Sequence, residues 1–271
     1  MPGGILQEMT IDMFDGWRPE VVVIGVGSTE PHGPHLPYGT DFMIVDGIAR
    51  RATIQANEQG GRVMQYPSLP VGCNVNFKPF PFAARMKVRT LMSLLGDIIE
   101  ALEEDGVRKI LLLNGHGGNT SVVEATLREH FERHPADPQG RRAFVCTFGT
   151  NRFVEPEVKA MLKHPSPHGG EDETARMMGL RPDLVRPEYF REFPIVPPSA
   201  SGVAECHDNL MYVKPWHLFL PEAAGGETRT VTREMGERLV ESAAKGLAEF
   251  MVRLSRAPWH ANFPFDPPAG P

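Results

Sequence analysis

Side chains of the kinds that bind divalent metals are concentrated in three glycine-rich segments of the chain. These segments are residues 27–41, 114–119 and 167–174, and their candidate residues are Glu30, His32, Asp41, His116, His168 and Glu171. Imidazole together with carboxylate is the ligand set expected for zinc, manganese or iron, whereas magnesium and calcium favour oxygen alone. The residue types therefore favour a centre for one of the first three metals.

The first segment places Glu30, His32 and Asp41 in a pattern that would let them bind the same metal ion. In an extended loop, residues i and i+2 point the same way, so Glu30 and His32 can address one point. Asp41 begins a predicted helix, where the helix dipole favours a carboxylate even without a metal. The alternative interpretation is a solvated histidine and glutamate in a loop, followed by an aspartate that caps the helix.

The other two segments favour the metal interpretation. His116 lies among glycines, which suit a tight turn with a close approach of the backbone, and a plain connection would not need a histidine there. His168 adds a base or acid, and Glu171 adds a further possible ligand. Alternatively, His168 is a solvated loop residue and Glu171 is an ordinary carboxylate in the first turn of a helix.

Apolar runs and helical spacing predict the elements that carry these segments. The predicted strands are Val21–Gly27, Arg62–Gly72, Lys109–Leu113 and Arg142–Gly149, and the predicted helices are Asp41–Asn57, Val88–Glu104, Thr120–His134, Glu171–Leu180 and Thr232–Arg256. This alternation predicts an α/β fold with a mostly parallel sheet between helices. Loops at the carboxyl ends of parallel strands converge on one crevice, which would bring the first two segments together. The stretch Pro182–Pro221 has no clear assignment.

Composition excludes several classes of function. The chain has 271 residues and a formal net charge of −6, which argues against a nucleic-acid or anionic-membrane surface. Its apolar runs are too short to span a bilayer, and the first residues lack a signal-peptide pattern. The three cysteines lie far apart in no metal-binding spacing, and their odd count argues against a disulfide framework. We expect a cytoplasmic enzyme with a small-molecule substrate.

Other catalytic schemes fit the sequence poorly. Ser28 follows a strand, but it is not in a Gly-x-Ser-x-Gly segment. No cysteine lies in a motif with a nearby histidine. The glycines at 25 and 27 lack the later glycine and the immediate helix of a dinucleotide-binding fingerprint.

The three segments together resemble the motifs of the creatininase (creatinine amidohydrolase) family. The resemblance rests on Gly27–Pro37 with Thr40-Asp41, on Asn114–Asn119, on His168–Thr174 and on Gly226–Gly236, and it extends from about Val21 to Phe250. It implies a three-layer α/β/α sandwich that often assembles as a hexamer. It also implies one or two divalent ions, with zinc first and manganese or iron as alternatives.

The resemblance also implies roles for individual residues. Glu30, Asp41 and His116 match the ligands of one metal, and His32 and Asp41 match ligands of a second, with Asp41 bridging the two. His168 matches a histidine thought to shuttle a proton. The chemistry that fits these roles is attack of a metal-activated water on a carbonyl carbon of the substrate.

The sequence departs from creatininase itself at two places. Gly118 stands where creatininase has a glutamate ligand, and we expect Glu171 to replace that ligand. The segment Asn76–Ala83 differs from the family's usual pocket sequence, so creatinine is a doubtful substrate. Other members of the family are a deformylase, a peptide-trimming hydrolase and a hydrolase of keto-inositols.

These observations lead to one preferred function and two alternatives. We expect a metal-dependent hydrolase of a cyclic amide, formamide or related C–N bond. The alternatives are a ring-opening hydrolase or isomerase of a keto-inositol or sugar derivative, and a non-catalytic metal- or ligand-binding scaffold. We expect one domain over residues 1–257, a Pro-rich tail over 258–271, and a homo-oligomer.

Overall fold

The computed structural model describes residues 3–133, 142–197, 213–260 and 262–265. Its strands are β1 (Val21–Val26), β2 (Val63–Leu69), β3 (Lys109–Asn114), β4 (Phe144–Gly149), β5 (Glu192–Phe193) and β6 (Gly226–Glu227). Its α-helices are α1 (Thr40–Glu58), α2 (Val88–Glu104), α3 (Thr120–Arg133), α4 (Pro156–Lys159), α5 (Glu171–Leu180), α6 (Trp216–Phe219) and α7 (Arg233–Arg256).

The four long strands form a parallel sheet in the order β2-β1-β3-β4. All six residues of β1 are buried, as expected for a central strand that is covered on both faces. In β1 and β3, Val22 lies opposite Ile110 and Val26 opposite Asn114. The carboxyl ends of these two strands therefore lie side by side, and the loops that follow them start from the same edge of the sheet.

Helices cover both faces of the sheet. Alternate side chains of β1 and β3 separate into two apolar cores, with Val23 and Leu111 on one side and Val22 and Ile110 on the other. The first core packs against α1, α5 and α7, and the second packs against α2 and α3. This arrangement is the three-layer α/β/α sandwich that the strand–helix alternation predicted.

Most element boundaries agree with the sequence within a few residues. The strand predicted over Arg62–Gly72 is shorter at both ends, and its pairing with β1 shifts register after Ile24. β2 contains Pro67, which cannot donate a ladder hydrogen bond, and it lies at the edge of the sheet, where proline is tolerated. The described parts of Pro182–Pro221 contain β5 and α6, and residues 198–212 lie outside the described residues.

Candidate metal centre

The candidate ligands lie where the two central strands end. Glu30 and His32 follow β1, Asp41 is the second residue of α1, and His116 follows β3. Their side chains are buried, with 1% of Glu30, 0% of His32 and 3% of Asp41 exposed. Buried groups of this kind need compensating partners, because burial of an unpaired charge is costly.

Asp41 lies between the two histidines of the cluster. Its Oδ1 atom is 3.2 Å from Nε2 of His32, and its Oδ2 atom is 3.0 Å from Nδ1 of His116. Oε1 of Glu30 lies 3.4 Å from the same nitrogen of His116. One carboxylate thus contacts both imidazoles, which is the geometry of a bridging ligand.

Each of the three histidines at the cluster has one ring nitrogen on a backbone carbonyl oxygen. Nδ1 of His32 lies 2.9 Å from the Glu30 carbonyl oxygen, Nε2 of His116 lies 3.2 Å from that of Cys73, and Nε2 of His168 lies 2.8 Å from that of Pro31. A carbonyl oxygen only accepts, so each of these nitrogens carries the proton when the ring is neutral. The other nitrogen of each ring then presents a lone pair to the carboxylates, as metal-binding histidines do.

Several carboxylate oxygens in the cluster lack a hydrogen-bond donor. Among the described residues, both Oε atoms of Glu30 and Oδ2 of Asp41 are buried without such a partner. Candidate ligand atoms lie within 4.8 Å of one another in three groups, which are Glu30/Asp41/His116, His32/Asp41/Glu173 and Glu30/His32/His168. Unpaired carboxylate oxygens facing imidazole lone pairs are satisfied by a divalent cation, so these residues fit a metal.

In the metal-free protein, protons bound to the glutamate and histidine side chains compensate the negative charge of the buried carboxylates. Burial raises the pKa of Glu30 to about 8, although the nearby His116 opposes this. Burial disfavours the charged form of His32, but Asp41 outweighs this effect and raises the pKa of His32 to about 10. For His116, Glu30 and Asp41 likewise overcome burial and raise the pKa to about 9. A metal ion would have to displace these protons.

His168 lies beside the cluster with its ring between two others. The ring centroids of His32 and Phe77 are 4.1 Å and 4.6 Å from that of His168, and Trp216 approaches it edge-on at 5.5 Å. Nδ1 of His168 lies 3.7 Å from Oε1 of Glu30. Burial and the neighbouring His32 hold the pKa of His168 well below its usual value, so its ring is neutral.

Glu171, which the sequence suggested as a ligand, lies apart from the three groups. Its Oε2 atom accepts hydrogen bonds from the backbone N–H groups of Lys163 (2.6 Å) and His164 (2.7 Å), and its Oε1 atom accepts one from the Thr230 hydroxyl (2.9 Å). Both carboxylate oxygens of Glu171 therefore already accept hydrogen bonds from the protein. The carboxylate that faces the cluster is that of Glu173, whose Oε2 lies 3.7 Å from Nε2 of His32.

The structure also explains the glycine at position 118. A Cβ atom there would overlap the carbonyl oxygen of Cys73 and the ring of His116. A glutamate could not be accommodated without moving that backbone. The carboxylate of Glu173 is the one of α5 that lies near the cluster, and sequence reasoning missed it because it compared motif positions rather than helix faces. Residues two apart on a helix point in nearly opposite directions, so the sequence could show that only one of Glu171 and Glu173 faces the cluster, but not which one.

Two buried side chains outside the cluster hold its loops together. Asn119 accepts a hydrogen bond from the Cys73 N–H (2.9 Å) and donates one to the Gly27 carbonyl oxygen (3.0 Å). Nε2 of His35 lies 3.0 Å from Oγ1 of Thr174, which links the first segment to α5. These contacts fix the relative positions of the three segments.

Comparison with known proteins agrees with this fold. The family model described as "Creatininase: Creatinine amidohydrolase" matches residues 7–251. The chain belongs to the creatininase family. Its members share the α/β/α fold, and the predicted class of enzyme, a metal-dependent amidohydrolase, is confirmed at the level of the family.

Individual members of the creatininase family cover nearly the whole chain. A creatinine amidohydrolase from Pseudomonas putida is 27% identical over 244 residues, which are 84% of this chain and 87% of the relative. A mycofactocin precursor peptide peptidase from Mycolicibacterium smegmatis is 31% identical over 236 residues, covering 86% and 85% of the two chains. The crystal structure of a protein from Bacteroides fragilis assigned as a creatinine amidohydrolase is 26% identical, with a TM-score of 0.81 and coverage of 94% and 98%.

Proposed function

We propose that the cluster binds one or two divalent ions and that the enzyme hydrolyses a C–N bond of a small amide. The observation that carries this proposal is the set of buried carboxylate oxygens without hydrogen-bond donors. We assign Glu30, Asp41 and His116 to one ion, and His32, Asp41 and Glu173 to the other. Zinc suits this mixture of imidazole and carboxylate, and manganese and iron are alternatives.

A bound divalent ion would supply a water of lowered pKa and would polarise the substrate's carbonyl group. In the hydrolysis, the water oxygen bonds to the carbonyl carbon and the C–N bond breaks. The leaving nitrogen must gain a proton as this happens. We assign the proton transfer to Nδ1 of His168, which faces Glu30 while Nε2 is held on the Pro31 carbonyl oxygen. Because His168 is neutral, it can accept a proton from the water and return it to the nitrogen.

The names of two relatives support an amide substrate. One is an amidohydrolase of creatinine and another is a peptidase, and both activities break an amide C–N bond. A second candidate is ring-opening hydrolysis of a keto-inositol. It is favoured by a 3-dehydro-scyllo-inosose hydrolase from Thermotoga maritima, which is 30% identical over 172 residues but covers only 63% of this chain and 53% of the relative.

The proposal can be tested on the purified protein by metal analysis followed by hydrolysis assays. The substrates are creatinine, a set of formamides, a set of dipeptides and a keto-inositol, and each is assayed with the metal-loaded and the chelator-treated protein. We expect metal-dependent cleavage of the amide C–N bond in at least one of these amides, detected as ring opening of creatinine or as a new amine from a formamide or dipeptide. Stoichiometric metal with turnover of the keto-inositol alone would favour the second candidate, and a protein that takes up no metal would contradict both.

We propose that residues 1–257 form one domain with a Pro-rich tail over 258–271, and that the chain forms a homo-oligomer in the cytoplasm, a hexamer by family resemblance. Among the helices that the structure describes, none is long and apolar enough to cross a membrane. Light scattering during size-exclusion chromatography tests the oligomeric state. Expression of residues 1–257 alone tests the domain boundary.

A further inference from the structure

An aromatic wall covers the side of the candidate centre where His168 lies. We define this wall as Phe77, Phe80 and Trp216. The ring centroid of Phe77 is 5.8 Å from that of Phe80 and 5.6 Å from that of Trp216. Ala83 and Ala223 pack against the same rings, so residues 75–83 and 216–223 meet here although they are far apart in the chain.

The wall is tied directly to the loop that carries Glu30 and His32. The backbone N–H of Ala84 donates to the Thr29 carbonyl oxygen at 2.9 Å, and the Tyr38 hydroxyl donates to that of Pro81 at 3.0 Å. Thr29 and Tyr38 lie at the two ends of this loop, because the N–H of Glu30 bonds the Tyr38 carbonyl oxygen. The segment that carries Phe82 therefore borders the centre.

Phe82 combines a strained backbone with an exposed ring. It has a φ of +58°, a conformation that non-glycine residues rarely adopt, and its side chain is 89% exposed. Among the described residues, the other non-glycine residue with positive φ is Ala223, which also packs against the wall. Neither burial nor favourable backbone geometry accounts for Phe82. Strained residues of this kind cluster at ligand clamps.

Further apolar side chains are exposed on the same two segments. Val75 is 56% exposed and Leu218 is 62% exposed. Together with Phe82 they give the border of the centre an apolar character that a small polar substrate would not need. Trp216, which belongs to the wall, is itself only half-buried.

We propose that the substrate carries an aromatic or similarly large flat apolar group, which binds between the aromatic wall and Phe82. This inference rests on the proposed amide hydrolysis and names its substrate class. The scissile amide would lie over the carboxylate–histidine cluster, and the apolar group would extend toward residues 75–83. Phe82 would then be a specificity-determining residue.

The test compares two carboxylates that mimic the acid product, phenylacetate and acetate. Their dissociation constants are measured by ligand-observed NMR with the metal-loaded protein. Stacking and burial of one ring predict that phenylacetate binds about ten-fold more tightly than acetate. Phe82→Ala should lose most of this preference while its affinity for acetate and its metal content stay unchanged, and Phe82→Tyr should restore it. Phe131→Ala removes an exposed ring in the last turn of α3 and serves as the matched control.

The possible failures are distinguishable. A protein that takes up metal and binds acetate, but prefers phenylacetate by less than about three-fold, overturns this inference and leaves the proposed function intact. An equal loss in Phe82→Ala and Phe131→Ala also overturns it, as does dissociation of an oligomer in Phe82→Ala, which would assign the surface to subunit contact. A protein that takes up no metal would instead refute the proposed function.

Discussion

Oε2 of Glu173 lies 3.7 Å from Nε2 of His32 and also accepts a 2.6 Å hydrogen bond from the Gly169 N–H. The side chain is 28% exposed, whereas that of Glu171 is fully buried. Glu173 therefore sits at the open side of the cluster, next to the segment that carries His168. The expected roles of the two glutamates of α5, metal binding by Glu173 and structural hydrogen bonding by Glu171, can therefore be tested separately.

Glu173→Gln should weaken metal binding. An amide is a poorer ligand than a carboxylate and brings no charge to offset the ion. We expect a loss of at least about ten-fold in affinity for the ion held by His32 and Asp41, measured by competition with a chromogenic chelator. Full metal content with unchanged affinity would remove Glu173 from the ligand set.

Glu171→Gln should lower stability without loss of metal. One carboxylate oxygen becomes an NH2 group that cannot accept a hydrogen bond, and the other loses its negative charge, so the contacts with Lys163, His164 and Thr230 weaken. Loss of hydrogen bonds to a buried charged group should reduce the free energy of unfolding by about 1.5–3 kcal/mol, as measured by urea denaturation. The opposite result, with metal lost at unchanged stability, would make Glu171 a ligand after all.

His168→Ala should keep both the fold and the metal but lose activity. The side chains assigned to metal binding do not include this ring, so the metal should stay bound. The leaving nitrogen, however, loses its proton donor. We expect turnover to fall by about a hundred- to ten-thousand-fold. Circular dichroism and metal analysis are the controls. Reduced metal content in this variant would instead make His168 a ligand, and undiminished turnover would exclude it from the mechanism.

The metal-free protein should lose stability as the pH rises. The raised pKa values of Glu30 (about 8), His32 (about 10) and His116 (about 9) mean that the folded state binds more protons than the unfolded state. For Glu30 this stabilisation is lost as the pH rises from about 4.5 to about 8, and for His116 and His32 it is lost as the pH rises from about 6.5 to about 9 and to about 10, respectively. Thermal unfolding of chelator-treated protein between about pH 7 and about pH 10 measures the effect.

Bound metal should reverse this trend, because the ion takes the place of those protons and its affinity rises with pH. The metal-loaded protein is the control in the same experiment. Chelator-treated protein that becomes more stable over this range would contradict the assigned protonation of the cluster.

The sequence was sufficient to predict which side chains converge where their positions follow from the parallel sheet. Glu30, His32, Asp41 and His116 converge because β1 and β3 are adjacent parallel strands, and parallel strands end at the same edge. The choice between Glu171 and Glu173 depended instead on how α5 is rotated about its axis. That rotation is set by tertiary packing, which motif positions do not encode.

The aromatic wall lay beyond sequence reasoning for a different reason. Phe77 and Trp216 belong to segments far apart in the chain, and neither segment has the periodicity of a long helix or strand. Their contact arises only when the loops after β2 and before β6 are both placed. The strained φ of Phe82 likewise has no signature in the residue type, since phenylalanine does not favour that conformation.

The central claim, that this cluster is a divalent-metal centre, is tested most directly by a crystal structure of the zinc-loaded protein with anomalous data at the metal edge. The account predicts an anomalous peak enclosed by the cluster, with donor atoms of Glu30, His32, Asp41, His116 and Glu173 at roughly 2.0–2.3 Å from one or two ions. Glu171 should remain on the backbone N–H groups of residues 163 and 164. Absence of an anomalous peak at these residues in fully loaded crystals, or a peak bound elsewhere on the chain, would contradict it.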